Sequence, residues 1–302
     1  MSEPEWLPEH EGQFVPWWGG MAKRILQLGV IPRHVAFILD GNRRFARTKG
    51  LDSIIKGHAA GFERIMRVLD WCRELGIKEV TLYAFSIENF KRTEEEVGGL
   101  MNMAKEKFEK LLNEKEKLIE KRICFRFFGK RELLPRDLQK LMAEIEEVTK
   151  DFENGFVNVC LAYTSREEIT SAMNDIRRGI REGLIEEGDI NEGLLSSCLN
   201  TGKSLPIDVL IRTSGEHRLS DFLLYQCSNS LIHFEDVLWP EFDFWHLLKA
   251  VYAYQRSRAK IADIENEVNQ KGNQEIGLRG KKFLKWLEEE REKKRMEIIY
   301  RG

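Results

Sequence analysis

Six short runs rich in β-branched and aromatic residues recur along the chain: HVAFILD (34–40), EVTLYAF (79–85), CFRFFG (124–129), FVNVCLAY (156–163), DVLIRT (208–213) and LIHFEDVLW (231–239). Several are almost continuously apolar, the pattern of strands covered on both faces. The segments between them are long enough for crossover helices. From Glu94 to Lys121, Val97, Leu100, Met101, Ala104, Phe108, Leu111 and Leu112 keep helical spacing while Glu and Lys fill the opposite face. This alternation predicts an α/β fold with a mainly parallel six-stranded sheet flanked by helices, spanning residues 31–261. Ligands in such folds bind beyond the carboxyl ends of the strands.

Two flanks differ from that core. Residues 1–30 form an N-terminal segment in which Phe14, Trp17, Trp18, Met21, Ile25, Leu26 and Leu28 surround two basic residues, predicting a short amphipathic helix over 14–31. Such a helix lies in a lipid interface, closes over an apolar cleft or packs on the domain. Residues 262–302 form a C-terminal helical tail with a break at 272–277. There Phe283, Leu284, Trp286 and Leu287 make one apolar stripe, as in a helical hairpin or a tail that docks on a partner.

Composition removes several classes of function. With 48 basic against 50 acidic residues the chain is no general nucleic-acid binder, so any anion must be held by a local cluster. Five widely spaced cysteines with no CxxC pair indicate neither a disulfide framework nor a zinc knuckle. No stretch of 18 apolar residues exists, and the acidic start MSEPEWLPEHEG does not read as a secretory leader.

The polar residues at the ends of the runs carry the chemistry. HVAFILD ends in Asp40-Gly41-Asn42-Arg43-Arg44-Phe45. A strand-end carboxylate suits Mg²⁺, which takes one or two protein carboxylates and completes its shell with phosphate oxygens and water. Gly41 allows close backbone approach, a helix start aims amides at an anion, and two arginines add charge-assisted bonds, so this is a candidate diphosphate cradle. The same residues also fit a helix cap beside surface arginines. A second cluster, DVLIRTSGEHRLSDF, places Arg212 at a strand end followed by Arg218 and Ser220, a further anion site. Between them the loop of TLYAFSIENFKR offers Ser86, Glu88, Asn89 and Arg92 beside Phe90, and His58 follows the first cluster. Three polar loops at one sheet edge predict one composite pocket.

HVAFILDGNRRFA, GHAAGF, TLYAFSIENFKR, DVLIRTSGEHRLSDFLLYQ and VLWPEF, in this order, closely resemble the signature segments of the cis-prenyltransferase family over roughly residues 31–256. SIENFKR, CLAYTSREEI and SGEHRLSDFLL are most similar to its eukaryotic, dolichol-making branch rather than to the bacterial undecaprenyl branch. The resemblance implies a Mg²⁺-dependent transferase that adds isopentenyl diphosphate to farnesyl diphosphate with cis double bonds. The allylic diphosphate would sit at Asp40 to Arg44, with Asp40 as metal ligand, and isopentenyl diphosphate at Arg212, Arg218 and Ser220. Asp40, Asn89 and His58 would be the catalytic set. It further implies work for dolichol synthesis and protein glycosylation at the cytosolic face of the endoplasmic reticulum, with peripheral membrane contact.

The chain departs from the family pattern at three places. An arginine that bacterial members carry four residues before the GH histidine is Ile54, and their second carboxylate, eleven residues after the serine matching Ser220, is Leu231. A C-terminal Arg-x-Gly is missing from YQRSRAKIADIEN; Arg177-Arg178-Gly179 and Arg181-Glu182-Gly183 fall mid-chain. A noncatalytic, Nogo-B-receptor-like subunit would then supply that element. A noncatalytic scaffold of the same fold and a phosphohydrolase using Asp40 are the alternatives. The first has no need of Asp40, Arg44, Arg212 and Arg218 together, and the second lacks the aspartate two residues on.

Overall fold

The computed structural model describes residue 6, residues 12–270 and residues 275–301, with 265–270 and 301 by backbone alone. In chain order the elements are α1 (Gly19–Leu26), β1 (His34–Ile38), α2 (Asn42–Thr48), α3 (Ile54–Leu75), β2 (Glu79–Ser86), α4 (Glu94–Asn113), α5 (Lys115–Lys121) and β3 (Ile123–Phe128). They continue with α6 (Arg136–Thr149), β4 (Gly155–Tyr163), α7 (Ser165–Arg181), α8 (Glu192–Cys198), β5 (Val209–Arg212), β6 (Leu231–Phe234), α9 (Phe244–Gln270) and α10 (Leu278–Arg301). The expected break at 272–277 lies partly outside the described residues.

All six expected strands form, in one sheet of order β3-β4-β2-β1-β5-β6 with every pairing parallel. Local sequence explains the helix ends. Ser53 caps α3 by accepting from the Ile55 amide (3.1 Å), and Gly76 ends it in the left-handed region. Thr93 caps α4, whose first turn holds Glu94, Glu95 and Glu96 where negative charge suits the helix start.

Alternation along the strands feeds two layers. Val35, Phe37, Val80, Leu82, Val157, Val159, Val209 and Ile211 face a core shared with α3, α4, α6 and α9. Ala36, Ile38, Tyr83, Cys160 and Leu210 face the opposite side with Tyr163 and Phe222. Burial on both faces accounts for the near-continuous apolar runs. Beneath the strand starts, buried His34 bonds the Leu205 carbonyl and Thr81 (both 2.7 Å), while Asn158 donates to Glu79 and Thr81 (2.6 and 2.8 Å). That network ties β1, β2 and β4 at the end away from the polar loops.

The flanks pack differently from expectation. The N-terminal helix is α1, eight residues rather than the full 14–31. Trp18 turns inward onto Phe244 and Trp245 of α9 (5.9 and 6.1 Å between rings), so it does not share the outer face with Trp17 and Ile25. In the tail, Phe283 and Leu287 are buried against Ala172, Ile176, Leu194 and Cys198 of α7 and α8. The apolar stripe of α10 is therefore spent on its own chain and is not a docking face for a partner.

Candidate active site

Strand order reverses between β1 and β5, since β1 runs on to β2 on one side while β5 and β6 lie on the other. Parallel α/β sheets open a ligand crevice at such a point. Register sets Ile38 beside Arg212, so Asp40 emerges next to the end of β5. Asp40 Oδ2 accepts from Arg212 Nη2 at 2.7 Å, and its Oδ1 accepts from the Gly41 amide at 2.8 Å. Thr213 completes the seam, its hydroxyl accepting from the Asp40 amide (3.1 Å) and donating to the Asp40 carbonyl (2.8 Å). The Asp40 side chain is 35% exposed and that of Arg212 only 2%, so the carboxylate faces the opening with the guanidinium behind it.

Gly41 has φ 109° and abuts Leu238, whose Cα would lie 3.1 Å from an added Cβ. A side chain there would strain the backbone and push into that loop. Asn42 behaves differently from its expected place in the cradle. It turns onto α3, where an added Cβ at Gly61 would stand 2.2 Å from Asn42 Oδ1, and its Nδ2 donates to the Leu39 carbonyl (3.4 Å). Asn42 thus seats α2 on α3 rather than presenting its carboxamide at the rim. Exposed Arg44 donates to the Ser214 carbonyl and hydroxyl (2.8 and 2.5 Å) and lies 3.6 Å from Glu216. Half-buried Phe45 has the Lys49 ammonium 5.7 Å from its ring centre.

Arg212 also donates to Ser220 Oγ (2.7 Å) and to the Arg218 carbonyl, and its Nε is buried without a partner. Arg218 pairs with Glu216. The loop bearing these residues is wound unusually tightly: Ser214, Gly215, Ser220, Asp221 and Leu223 all have positive φ. Backbone in that region is costly for non-glycine residues and persists only where its surroundings hold it. Here the Asp221 carbonyl accepts from the Ser165 amide (2.7 Å), its carboxylate accepts from Arg166 Nε (2.7 Å), and Tyr83 donates to the Ser220 carbonyl (3.2 Å).

The third loop divides. Ser86 and Asn89 cap the turn Ile87–Lys91 reciprocally, the Ser86 amide donating to Asn89 Oδ1 (3.0 Å) and Ser86 Oγ accepting from the Glu88 amide (3.2 Å). Glu88 pairs with Lys91 at the surface, and Phe90 sets its ring edge-on to Phe85 (4.9 Å). Arg92 turns back and donates to Glu96 (2.8 Å). Glu96 also lies 3.7 Å from His58 Nε2 and 4.0 Å from Arg43, so one carboxylate gathers three groups expected at the diphosphate. At 3.7 Å the His58 contact is electrostatic rather than a hydrogen bond. Burial, then the positive charges of Arg92 and Arg43, push the His58 imidazole down to about 4 against the pull of Glu96, and it is neutral at neutral pH. Its Nε2 is buried without a hydrogen-bond partner.

Sequence reasoning missed Glu96, which reads as one of three glutamates opening a charged helix, although its place four residues after Arg92 is pairing distance on a helix. It also missed Asp221 and Tyr83, which hold the loop of Arg218 and Ser220 in place. Leu231 lies beside Val209 at the start of β6, three residues short of the rim, and contributes nothing to this site of its own chain.

Comparison with known proteins gives the same outline. A family model described as "Putative undecaprenyl diphosphate synthase" matches residues 38–262. The chain is 47% identical over 256 residues to the human dehydrodolichyl diphosphate synthase complex subunit DHDDS, covering 85% of this chain and 76% of that one. It is 42% identical over 233 residues to a tritrans,polycis-undecaprenyl-diphosphate synthase (geranylgeranyl-diphosphate specific) of Archaeoglobus fulgidus, covering 77% and 92%. The fold matches lavandulyl diphosphate synthase from Lavandula x intermedia, crystallised with dimethylallyl diphosphate, at a TM-score of 0.70 and 31% identity over 74% of this chain and 95% of that one. Signature motifs, a six-stranded parallel sheet with its cationic rim, and these relatives agree: the chain belongs to the cis-prenyltransferase family and is a polycis-polyprenyl diphosphate synthase.

Proposed function

We propose that this chain is the catalytic subunit of a long-chain synthase that condenses isopentenyl diphosphate onto farnesyl diphosphate, making dehydrodolichyl diphosphate for dolichol synthesis. The observation that carries this reading is the meeting of Asp40 and Arg212 at 2.7 Å on adjacent strand ends. It supports reading two anion sites side by side, Asp40 to Arg44 with Arg92 for the allylic substrate and Arg212, Arg218 and Ser220 for isopentenyl diphosphate. In the reaction the allylic C–O bond breaks, the isopentenyl double bond attacks the allylic carbon, and loss of a proton leaves the new cis double bond.

Mg²⁺ fits the first site, because Asp40 is a partly exposed carboxylate at the end of β1. That donor set suits a cation carried largely by diphosphate oxygens and water. Asp40 would hold it, and bound Mg²⁺ would offset charge on the departing diphosphate. The chain's own residues do the rest. Arg43, Arg44 and Arg92 grip the leaving group, Arg212 holds the acceptor's diphosphate with Ser220, and Asn89, Ser86 and neutral His58 are the candidates for orienting the acceptor or relaying its proton.

Each added five-carbon unit gains roughly 3–4 kcal/mol on leaving water, at about 0.8 kcal/mol per CH₂, so the tail needs an apolar channel. In this reading the apolar residues of α3 and α4 would wall that channel above the sheet, beginning near His58 and Glu96. Product delivery to a membrane is supported by α1 and its two ends, where Trp17, Met21, Ile25 and Leu28 are all exposed. A partner subunit is supported by the name of the human relative as a complex subunit. The edge strand β6, with Phe234 partly exposed, also favours one. That partner, resembling the Nogo-B receptor, would bring the Arg-x-Gly element, and the complex would lie on the cytosolic face of the endoplasmic reticulum.

The test is to purify the chain from its own cells with whatever subunit accompanies it and supply farnesyl diphosphate, labelled isopentenyl diphosphate and Mg²⁺. Long polycis products with one diphosphate released per unit added are expected. Full activity of the isolated chain would remove the partner from the account, and failure of both to elongate would remove the catalytic assignment.

A further inference from the structure

β4 runs into α7 with only Thr164 between them, and the short junction sets the first turn of α7 against the loop that carries Arg218 and Ser220. Buried Ser165 donates its amide to the Asp221 carbonyl (2.7 Å), and its Oγ accepts from the Leu224 amide (3.1 Å). Arg166 donates its amide to Asp221 Oδ1 (3.2 Å) and its Nε to Asp221 Oδ2 (2.7 Å). Two amides that a helix start leaves without partners inside the helix are therefore taken up by one residue of a distant segment. The carboxylate also stands where negative charge suits the helix. The Asp221 side chain is 13% exposed and that of Arg166 78%, so the carboxylate is the sheltered member of the pair.

What Asp221 secures is a loop that does not hold its shape alone. Ser220, Asp221 and Leu223 have φ of 50°, 58° and 48°, three left-handed residues within four. Such residues prefer extended or right-handed helical backbone, so the winding lasts only while neighbouring groups hold it. Phe222 is buried and stacks on Tyr83 (4.3 Å between ring centres, 11° between planes), which fixes the loop to the sheet by a ring as Asp221 fixes it to α7 by a carboxylate. At the rim the winding has one consequence: Ser220 Oγ and the Arg218 carbonyl are presented together to Arg212 Nη1.

We propose that Asp221 is a positioning residue for isopentenyl diphosphate. By pinning residues 220–223 to α7, it keeps Ser220 and Arg212 in the arrangement that takes the acceptor's diphosphate, without touching the substrate itself. The inference rests on the reading of Arg212, Arg218 and Ser220 as the acceptor's site. A loop released from α7 spends only part of its time in that arrangement, and apparent affinity falls by that fraction. Bound diphosphate restores the arrangement, so the rate at saturation is kept. The allylic residues Asp40 to Arg44 belong to another segment, so affinity for farnesyl diphosphate is kept as well.

The test uses the enzyme with whatever subunit accompanies it. Asn and Gly both tolerate left-handed backbone, so Asp221→Asn and Asp221→Gly add no strain of their own. Asn keeps an acceptor for the Arg166 amide and loses the charge; Gly loses every side-chain bond. KM for isopentenyl diphosphate should rise about threefold in Asp221→Asn and about tenfold or more in Asp221→Gly. In both, kcat at saturating substrates should stay within about twofold and KM for farnesyl diphosphate should be unchanged. Arg166→Ala should raise the same KM by about twofold to threefold, because its exposed charge is screened. Ser220→Ala and Arg218→Ala report on the site itself and should also raise it. A raised KM in these two beside an unchanged one in Asp221→Gly overturns the role of Asp221 alone. A fall in kcat in Asp221→Gly with both KM values unmoved, or with both raised alike, makes the residue merely structural and overturns the proposal. If Asp221→Gly does not fold, an unmoved KM in both Asp221→Asn and Arg166→Ala overturns it. An unchanged KM in Ser220→Ala and Arg218→Ala overturns the acceptor site and the proposal with it.

Discussion

Asp40→Asn keeps the shape of the rim and removes one charge from it. Asp40 Oδ2 stands 2.7 Å from Arg212 Nη2. The charge centres are then about 4 Å apart, and at an effective dielectric near 20 their attraction is roughly 4 kcal/mol. Because the Asp40 side chain is 35% exposed, screening by water reduces the net loss of stability to about 1–2 kcal/mol. For a chain of this size that lowers Tm by about 2–6 °C, leaving a folded enzyme to assay. The effect on the reaction is larger. Losing a group that stabilises the departing diphosphate costs about 10²- to 10³-fold in kcat, or about 3–4 kcal/mol in barrier. The assay is incorporation of labelled isopentenyl diphosphate at saturating substrates across a magnesium titration, with Tm recorded on the same preparations. The variant should lose at least about a hundredfold in kcat and need more magnesium for half-maximal rate. A kcat within about threefold of the parent, with an unchanged magnesium response, would place the Asp40 charge outside the reaction.

Three further outcomes follow from the geometry. Glu96→Gln keeps the bond to Arg92 but loses the charge that gathers Arg92, Arg43 and His58; kcat/KM should fall about tenfold with little change in Tm, and an unaltered value would make the cluster incidental. His58 has its proton affinity pushed from 6.5 down to about 4, so the unfolded chain binds a proton that the folded chain refuses between those values. Stability should fall as pH drops from 6.5 towards 4, by on the order of 2–3 kcal/mol for this residue, and His58→Asn should flatten that slope in denaturant titrations. Replacing Trp17, Met21 and Ile25 together by serine removes exposed apolar surface from α1 and the residues just before it; flotation with anionic liposomes should weaken at least about tenfold while Tm holds, and unchanged flotation would reject the interfacial role.

The fold was largely legible because its strands are buried on both faces, so the apolar runs stand out without ambiguity of period. Strand order was not, since nothing local tells β5 to pair with β1 rather than with β4. That pairing is what brings Asp40 to Arg212. The cationic residues of the site were readable because arginines at strand ends have few structural uses, whereas the residues that hold them were hidden in ordinary roles. Glu96 looks like helix-start acid, Asp221 like a turn residue and Tyr83 like core. Asn42, expected on the substrate, instead fills the gap left by Gly61, a contact that only the packing of α2 on α3 reveals. The stripe on α10 was read correctly as apolar, but sequence gives no sign of whether its own chain or another covers it.

The most direct test of the central claim is a structure of the complete enzyme with farnesyl S-thiolodiphosphate, isopentenyl diphosphate and Mg²⁺ bound together. Two diphosphates should lie side by side beyond β1 and β5, the first reaching Asp40 through the metal and flanked by Arg43, Arg44 and Arg92, the second on Arg212, Arg218 and Ser220. A diphosphate held elsewhere, or an Asp40 that still faces only Arg212 with the metal on other ligands, would contradict it.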